Sequence, residues 1–302
     1  MTKATERGGG LALLALILSN VALAFGPLFV RMADTGPVSA GFWRLTLALP
    51  VLVMIAMQRR EPLSGFRPGI WWMLALGGFA FALDLASWNF GIERTKLANA
   101  TLFGNMGSIL LVLYGFVISR AWPHKAEAGA VLLAIIGASL LMGSSYELDV
   151  RNLVGDLFCL AAGVLYVVYL LSIRHVRNDL GSWSVLVWST VFGIGPLLGI
   201  ALLLGEPVWP TDWTPVLLLA VVCQLFGQGL MVYAVNHFSP VVLGIALLGQ
   251  PVIACIIGWV VFDEILSLAD WIGMIAIGIA LVLVRLPEAR RAARLAGSAP
   301  AS

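Results

Sequence analysis

The sequence predicts an all-α membrane protein: ten transmembrane helices arranged as two inverted five-helix repeats around a central cavity. Three observations carry this. Of 302 residues, 60% are hydrophobic and 11% are charged, against a charged share of about 25% in soluble domains. Ten apolar stretches fill the chain, each close to the roughly 20 residues that a bilayer core demands. Finally, the two halves match at several places under one offset of 143 residues.

The spans are read at 10–31, 37–57, 70–91, 97–118, 127–143, 153–173, 182–204, 214–236, 240–262 and 269–285. Backbone groups cannot go unpaired in lipid, so each span is a helix. The first run is too long for the apolar core of a signal peptide and is read as a retained span. Connections are short, and the longest, 58–69 and 144–152, hold no separate domain. Lys and Arg residues divide thirteen against four between the two sides, with Arg44 left inside a span. The richer side carries Lys3, Arg7, Arg59, Arg60, Arg67 and the tail arginines, which predicts both termini in the cytoplasm of a cell with an inner membrane. The tail arginines are expected to meet anionic lipid headgroups.

At the offset of 143, Arg31 falls on Arg174, Phe90-Gly91 on Tyr233-Ala234, Gly107-Ser108 on Gln250-Pro251, and Gly115 on Gly258. Residues 8–145 therefore read as one repeat, 152–286 as a second, and 287–302 as a cytoplasmic tail. Five is odd, so the second copy enters from the opposite side of the membrane. Inverted copies that exchange conformations open one central site to either face, as secondary transporters do.

Two motifs carry a resemblance. Pro251-Val-Ile-Ala-Cys-Ile-Ile-Gly258-Trp259-Val-Val-Phe-Asp-Glu264, followed by Asp270-Trp-Ile-Gly273, resembles the close of a repeat in the EamA branch of the drug/metabolite transporter superfamily. Pro37-Val-Ser-Ala-Gly-Phe-Trp-Arg44-Leu-Thr-Leu-Ala resembles the second helix of the first repeat in that family. The resemblance implies ten helices, an inverted pseudo-repeat and movement of small metabolites, often amino-acid export. The chain is most similar in kind to the exporters of aromatic or neutral amino acids. It departs from the pattern at Arg120-Ala121, where the second half has Asp263-Glu264. Four-helix multidrug relatives carry a glutamate in the first helix; here that region reads Leu18-Ser19-Asn20, so their proton-coupling group is not carried over.

Candidate substrate-binding residues are the polar and aromatic groups within the spans. Asp84 and Arg44 lie on the third and second spans, each about seven residues from the outer end and so about 10 Å deep. An isolated charge at that depth is costly, so the two are expected to pair, either as a latch between helices or as a receptor for a zwitterion. Trp88 shares the helical face of Asp84. Gln224 and Gln228 form a polar stripe on the eighth span, the repeat partner of the third. Gln250 precedes Pro251 in the middle of the ninth span, where proline frees the Leu247 carbonyl. Such an interruption offers backbone groups to cargo or is a permanent kink. Asn20, Asn105, Ser108, Tyr166 and Tyr169 complete a polar and aromatic lining, with Trp43 and Trp259 as further aromatic walls. The expected lining helices are the first, third, fourth, sixth, eighth and ninth. Ala130, Ala134 and Ala138 form a packing seam, within the chain or at a protomer contact. Pro50 and Pro196 mark bends or simple kinks.

Nothing points to catalysis. Nucleotide-binding loop, paired-histidine zinc motif and nucleophile elbow are all missing. Cys159, Cys223 and Cys255 sit in apolar stretches at spacings that fit neither a disulfide framework nor a metal site. The basic residues follow topology, so no nucleic-acid partner is expected, and no cofactor. The expected partners are a small-molecule substrate and the lipid bilayer; the sequence does not fix the oligomeric state, and a monomer is compatible with it. The expectation is an exporter of aromatic or large neutral amino acids by alternating access, by downhill uniport ahead of proton antiport. Export of drugs or nucleotide sugars and an intramembrane enzyme are the alternatives.

Overall fold

The computed structural model of the protein describes residues 2–95, 97–119, 125–143, 152–262 and 266–297. Within them the chain forms ten successive helical rods. α1 runs Thr2–Ala24 and resumes after Phe25 as Gly26–Met32. Then come α2 (Pro37–Gln58), α3 (Pro68–Ile92), α4 (Leu97–Ser119) and α5 (Lys125–Gly143). The second half holds α6 (Leu153–Val176), α7 (Ser182–Leu203), α8 (Thr214–Leu218, Leu219–Gln228 and Gly229–Ala234), α9 (Pro240–Leu247, then Gln250–Phe262) and α10 (Leu268–Gly297). Proline in the first helical turn starts α2, α3, α8 and α9, where its missing N–H has no intrahelical partner to lose. Among the described residues, α1, α2, α3, α6, α7 and α8 are long and apolar enough to cross a bilayer. Shorter apolar helices lie in α4 (Phe103–Ile118), α9 (Pro240–Ile253) and α10 (Leu268–Val284). Arg120-Ala121, the junction at 144–151 and Asp263-Glu264 lie outside the described residues, as do the side chains of the tail arginines.

The packing repeats under an exchange of each helix for the one five later. α1 lies on α8 as α6 lies on α3; α2 lies on α8 as α7 lies on α3; α4 lies on α6 as α9 lies on α1. The pairs α2–α7, α4–α9 and α5–α10 map onto themselves. α5 and α10 approach so closely that a Cβ on Gly137 would come within 2.7 Å of the Gly273 carbonyl. The buried Ala130, Ala134 and Ala138 thus belong to a helix with a close partner inside the chain.

The α2–α7 pair is tied at both ends by equivalent bonds. Glu206, just past α7, accepts from the backbone N–H of Ser39 at 2.9 Å and of Val38 at 3.3 Å, and from the Ser39 hydroxyl. Glu61, just past α2, accepts from the Ser184 N–H at 2.8 Å. Trp43 Nε1 donates to the Val208 carbonyl at 2.6 Å, and Trp188 Nε1 to the Leu63 carbonyl at 3.0 Å. Each carboxylate satisfies N–H groups that a helix start leaves open. These equivalents are 145 residues apart, not 143, because Gly181 lies seven residues after Arg174 whereas Gly36 lies five after Arg31.

Among the described residues the halves differ at α1, interrupted at Phe25 where α6 is continuous, and at two further places. In α8, residues Leu219–Gln228 form a π-helix, a wide turn that concentrates at functional sites. α1 docks against it: the Ser19 hydroxyl donates to the Gly227 carbonyl at 2.8 Å, and Cys223 Sγ to the Ala22 carbonyl at 3.4 Å. The other is α9, interrupted at Leu248–Gly249, immediately before Gln250-Pro251. Its counterpart α4 runs unbroken.

Candidate substrate cavity

Seven helices converge on a cavity of about 150 Å³. α3 supplies Phe81, Asp84 and Trp88 from one face, since residues three and four apart stack along a helix. α4 brings Asn105 and Ser108, and α6 brings Tyr166. α8 adds Gln228, α9 adds Gln250, α2 adds Arg44, and Leu23 of α1 closes the wall. Glycine makes the convergence possible. A Cβ on Gly104 would lie 2.3 Å from the Trp88 ring, and one on Gly107 would lie 2.2 Å from the Gly163 carbonyl. α4 and α6 therefore meet backbone to backbone beside the cavity.

Arg44 is 7% exposed. Its Nε donates to Gln224 Oε1 at 3.1 Å, and Gln224 Nε2 donates to Thr190 Oγ1 at 3.1 Å. The guanidinium carbon lies 5.5 Å from the centre of the Phe81 ring, within reach of the ring's negative face. Arg44 Nη2 is buried without a hydrogen-bond partner. This corrects the expected Arg44–Asp84 ion pair: the two side chains do not come within the 4.0 Å of an ion pair, as Arg94 and Glu93 do at the surface. The cause is the relay from Thr190 through Gln224, which holds the guanidinium toward α7 and α8. Equal depth put the two charges at one level but did not fix their directions. Asp84 lies on the same cavity and, among the described residues, makes no hydrogen bond and no ion pair within 4.0 Å.

Eight of the thirteen sequence candidates line this cavity: Arg44, Asp84, Trp88, Asn105, Ser108, Tyr166, Gln228 and Gln250. Two stand directly behind them. Gln224 is fully buried and orients Arg44. Tyr169, also fully buried, stacks on Phe81 at 4.6 Å between ring centres and reaches Gln228 Oε1 at 3.4 Å. The other three lie elsewhere. Trp43 points away from Arg44, into an aromatic cluster with Trp209 and Trp213 at 5.2 and 4.8 Å. Trp259 is 49% exposed and meets the edge of Trp271. Asn20 faces a different groove, between α1, α9 and α10. Sequence reasoning missed Phe81, Gly104 and Gly163. Phe81 could have been found, since it lies three residues before Asp84 on the same face; the glycines carry no such signal.

Comparison with known proteins bears on the whole chain. The model of the EamA-like transporter family matches residues 10–143 and again 153–286. An uncharacterized transporter of Archaeoglobus fulgidus is 24% identical over 86% of this chain and 90% of its own. The threonine/homoserine exporter RhtA of Salmonella typhimurium is 22% identical over 93% of this chain and 95% of its own. A WAT1-related chloroplastic protein of Arabidopsis thaliana is 24% identical, over 93% and 71%. One solved crystal structure superposes with a TM-score of 0.75 over 95% of this chain and 98% of that one; at 18% identity this is likeness of fold.

Proposed function

Because the chain belongs to the EamA-like transporter family, and so is a multi-pass membrane transporter of small molecules and not an enzyme, we propose that it exports a neutral amino acid held as a zwitterion between Asp84 and Arg44. One observation carries the reading: a single cavity is lined by Asp84, which makes no hydrogen bond or close ion pair among the described residues, and by Arg44, whose Nη2 has no hydrogen-bond partner. Unpaired charge within a membrane is costly. An α-amino acid supplies both missing partners, its ammonium for Asp84 and its carboxylate for Arg44 Nη2. The amides of Asn105, Gln228 and Gln250 ring the same space.

The cavity volume of about 150 Å³ lies below the roughly 300–1,000 Å³ of drug-sized sites. This supports small neutral cargo, of the kind named for the threonine/homoserine exporters, ahead of the aromatic amino acids that the sequence suggests. Trp88, Phe81 and Tyr166 would then pack against a short side chain. A nucleotide sugar would need several cations, and among the described residues of this wall Arg44 is the one cation.

The sequence expectation of uniport rested on a paired Asp84. Unpaired, Asp84 supports proton antiport. The ammonium of the cargo and a proton are alternative partners for one carboxylate, so leaving cargo is replaced by an entering proton. We place the protein in the inner membrane with both termini cytoplasmic, in line with the distribution of Lys and Arg. The two repeats act as the exchanging halves, and one chain builds the whole cavity.

The test is counterflow of labelled threonine in proteoliposomes against a panel of competitors. Threonine, alanine and serine should compete. N-acetylthreonine, which lacks the ammonium, and threonine methyl ester, which lacks the carboxylate, should not. Equal competition by both blocked derivatives would remove the zwitterion from the reading. Phenylalanine competing better than threonine would restore the aromatic one.

A further inference from the structure

A second and larger cavity, of about 290 Å³, lies between α1, α9 and α10. Its wall is built of Leu16, Ile17, Val252, Ile253, Met274 and similar residues, and Asn20 is the one polar side chain among them. Ile17, on this wall, is 49% exposed, so the groove opens sideways, toward lipid. Asn20 itself is 4% exposed. Its Nδ2 donates to the Leu16 carbonyl at 2.8 Å. A carbonyl only accepts, so the amide nitrogen must face Leu16. Oδ1 is left over, buried and without a partner.

We propose that this groove is a second binding site, for an uncharged molecule dissolved in the membrane that has an apolar body and one hydroxyl or N–H group donating to Asn20 Oδ1. Among the described residues the wall carries no charged side chain, so an ion would find no partner on them. The volume suits a small ring system. A lipid tail fits the apolar part but has no donor. The donors of headgroups stay at the bilayer surface, whereas Asn20 lies near the middle of the span Gly10–Met32. The groove also shares a wall with the central cavity. Leu247 and Gln250 face the cavity, and Ala246 and Gly249 face the groove. The interruption of α9 is therefore the partition between them, and an occupant of the groove bears on it and slows export.

The probes are 1-naphthol and 1-methylnaphthalene, alike in shape but with a donor on the first alone. Thermal unfolding of the full chain in detergent is followed while each is titrated. A ligand that binds the folded state raises Tm in a saturable way. Naphthol should bind about tenfold more tightly than methylnaphthalene, the size expected for satisfying one buried acceptor. Asn20→Leu should abolish that preference. Gly278→Leu should abolish both shifts, because Gly278 lines the groove and a Cβ there meets nothing within 4 Å, which leaves the added side chain the groove to occupy. Threonine export should slow with naphthol in the natural protein and not in Gly278→Leu. Equal affinity for the two probes, a preference that survives Asn20→Leu, or shifts that survive Gly278→Leu would each overturn the proposal. Should Asn20→Leu fail to fold, the Gly278→Leu comparison still decides.

Discussion

Arg44 lines the cavity with its Nη2 unpartnered while its Nε is held by Gln224, itself bonded to Thr190, both outside the cavity. Gln224 cannot be turned over without presenting its NH₂ to the guanidinium, which only donates, so Oε1 faces Arg44 and the Thr190 hydroxyl accepts from Nε2. Gln224→Leu should therefore raise the half-saturating threonine concentration about tenfold or more, as expected for a hydrogen bond to a charged group worth about 1.5–3 kcal/mol. Thr190→Val should shift it the same way but less, because the glutamine stays. Transport by amounts of protein matched on a gel checks both; unchanged affinity in Gln224→Leu would show that Arg44 needs no orienting. Asp84 makes a separate demand. If it exchanges cargo for a proton, threonine leaving a proteoliposome should acidify the lumen, and Asp84→Asn should abolish the acidification. Flux without acidification in the natural protein would return the reading to uniport. The sequence made Asp84 conspicuous, as a carboxylate in an apolar run, and misjudged its neighbour. Depth along a helix is legible from residue count, whereas direction around it depends on how α2, α7 and α8 pack.

At the scale of elements, the two carboxylate caps are the clearest trace of the repeat. Glu206 closes the start of α2 and Glu61 the start of α7, each from the turn that follows the other helix. Each lies so close to its target that a Cβ on Gly36 or Gly181 would collide with it. Losing a cap costs about 0.5–2 kcal/mol. Glu206→Ala and Glu61→Ala should thus lower Tm by similar amounts, and the double substitution by about their sum, because the sites share no partner. A much smaller effect of one than of the other would mean that the two ends of the α2–α7 pair are not equivalent. The dipeptides Glu61-Pro62 and Glu206-Pro207 are visible in the sequence, but only under an offset of 145. Holding one offset along the whole chain hid them. Neither the π-helix of α8 nor the extent of the α9 interruption was legible. The first has no composition of its own, and Pro251 marks a weak point without saying whether the helix bends or breaks there.

Across the whole molecule, the exchange of each helix for the one five later preserves the main contacts, yet α9 is interrupted where α4 is continuous. In an inverted repeat, the opposite-facing state is reached when each half takes up the other's conformation. On that view α9 must be able to resemble α4, and the interruption at Leu248–Gly249 is the place where it changes. Pro251 keeps it open, because proline cannot donate to the Leu247 carbonyl. Ser108, which falls on Pro251 at the offset of 143, stands in an unbroken helix and lines the cavity. Pro251→Ala restores the donor and should favour a continuous α9. The expected outcome is a higher Tm together with slower threonine export, with the half-saturating concentration little changed because Gln250 stays in place. Thermal unfolding and the maximal rate of efflux, measured on the same preparation, check the pair of effects. A higher Tm with export undiminished would make the interruption a fixed kink. Export lost without any gain in Tm would mean that the proline shapes the cavity wall and leaves the balance between the two states alone.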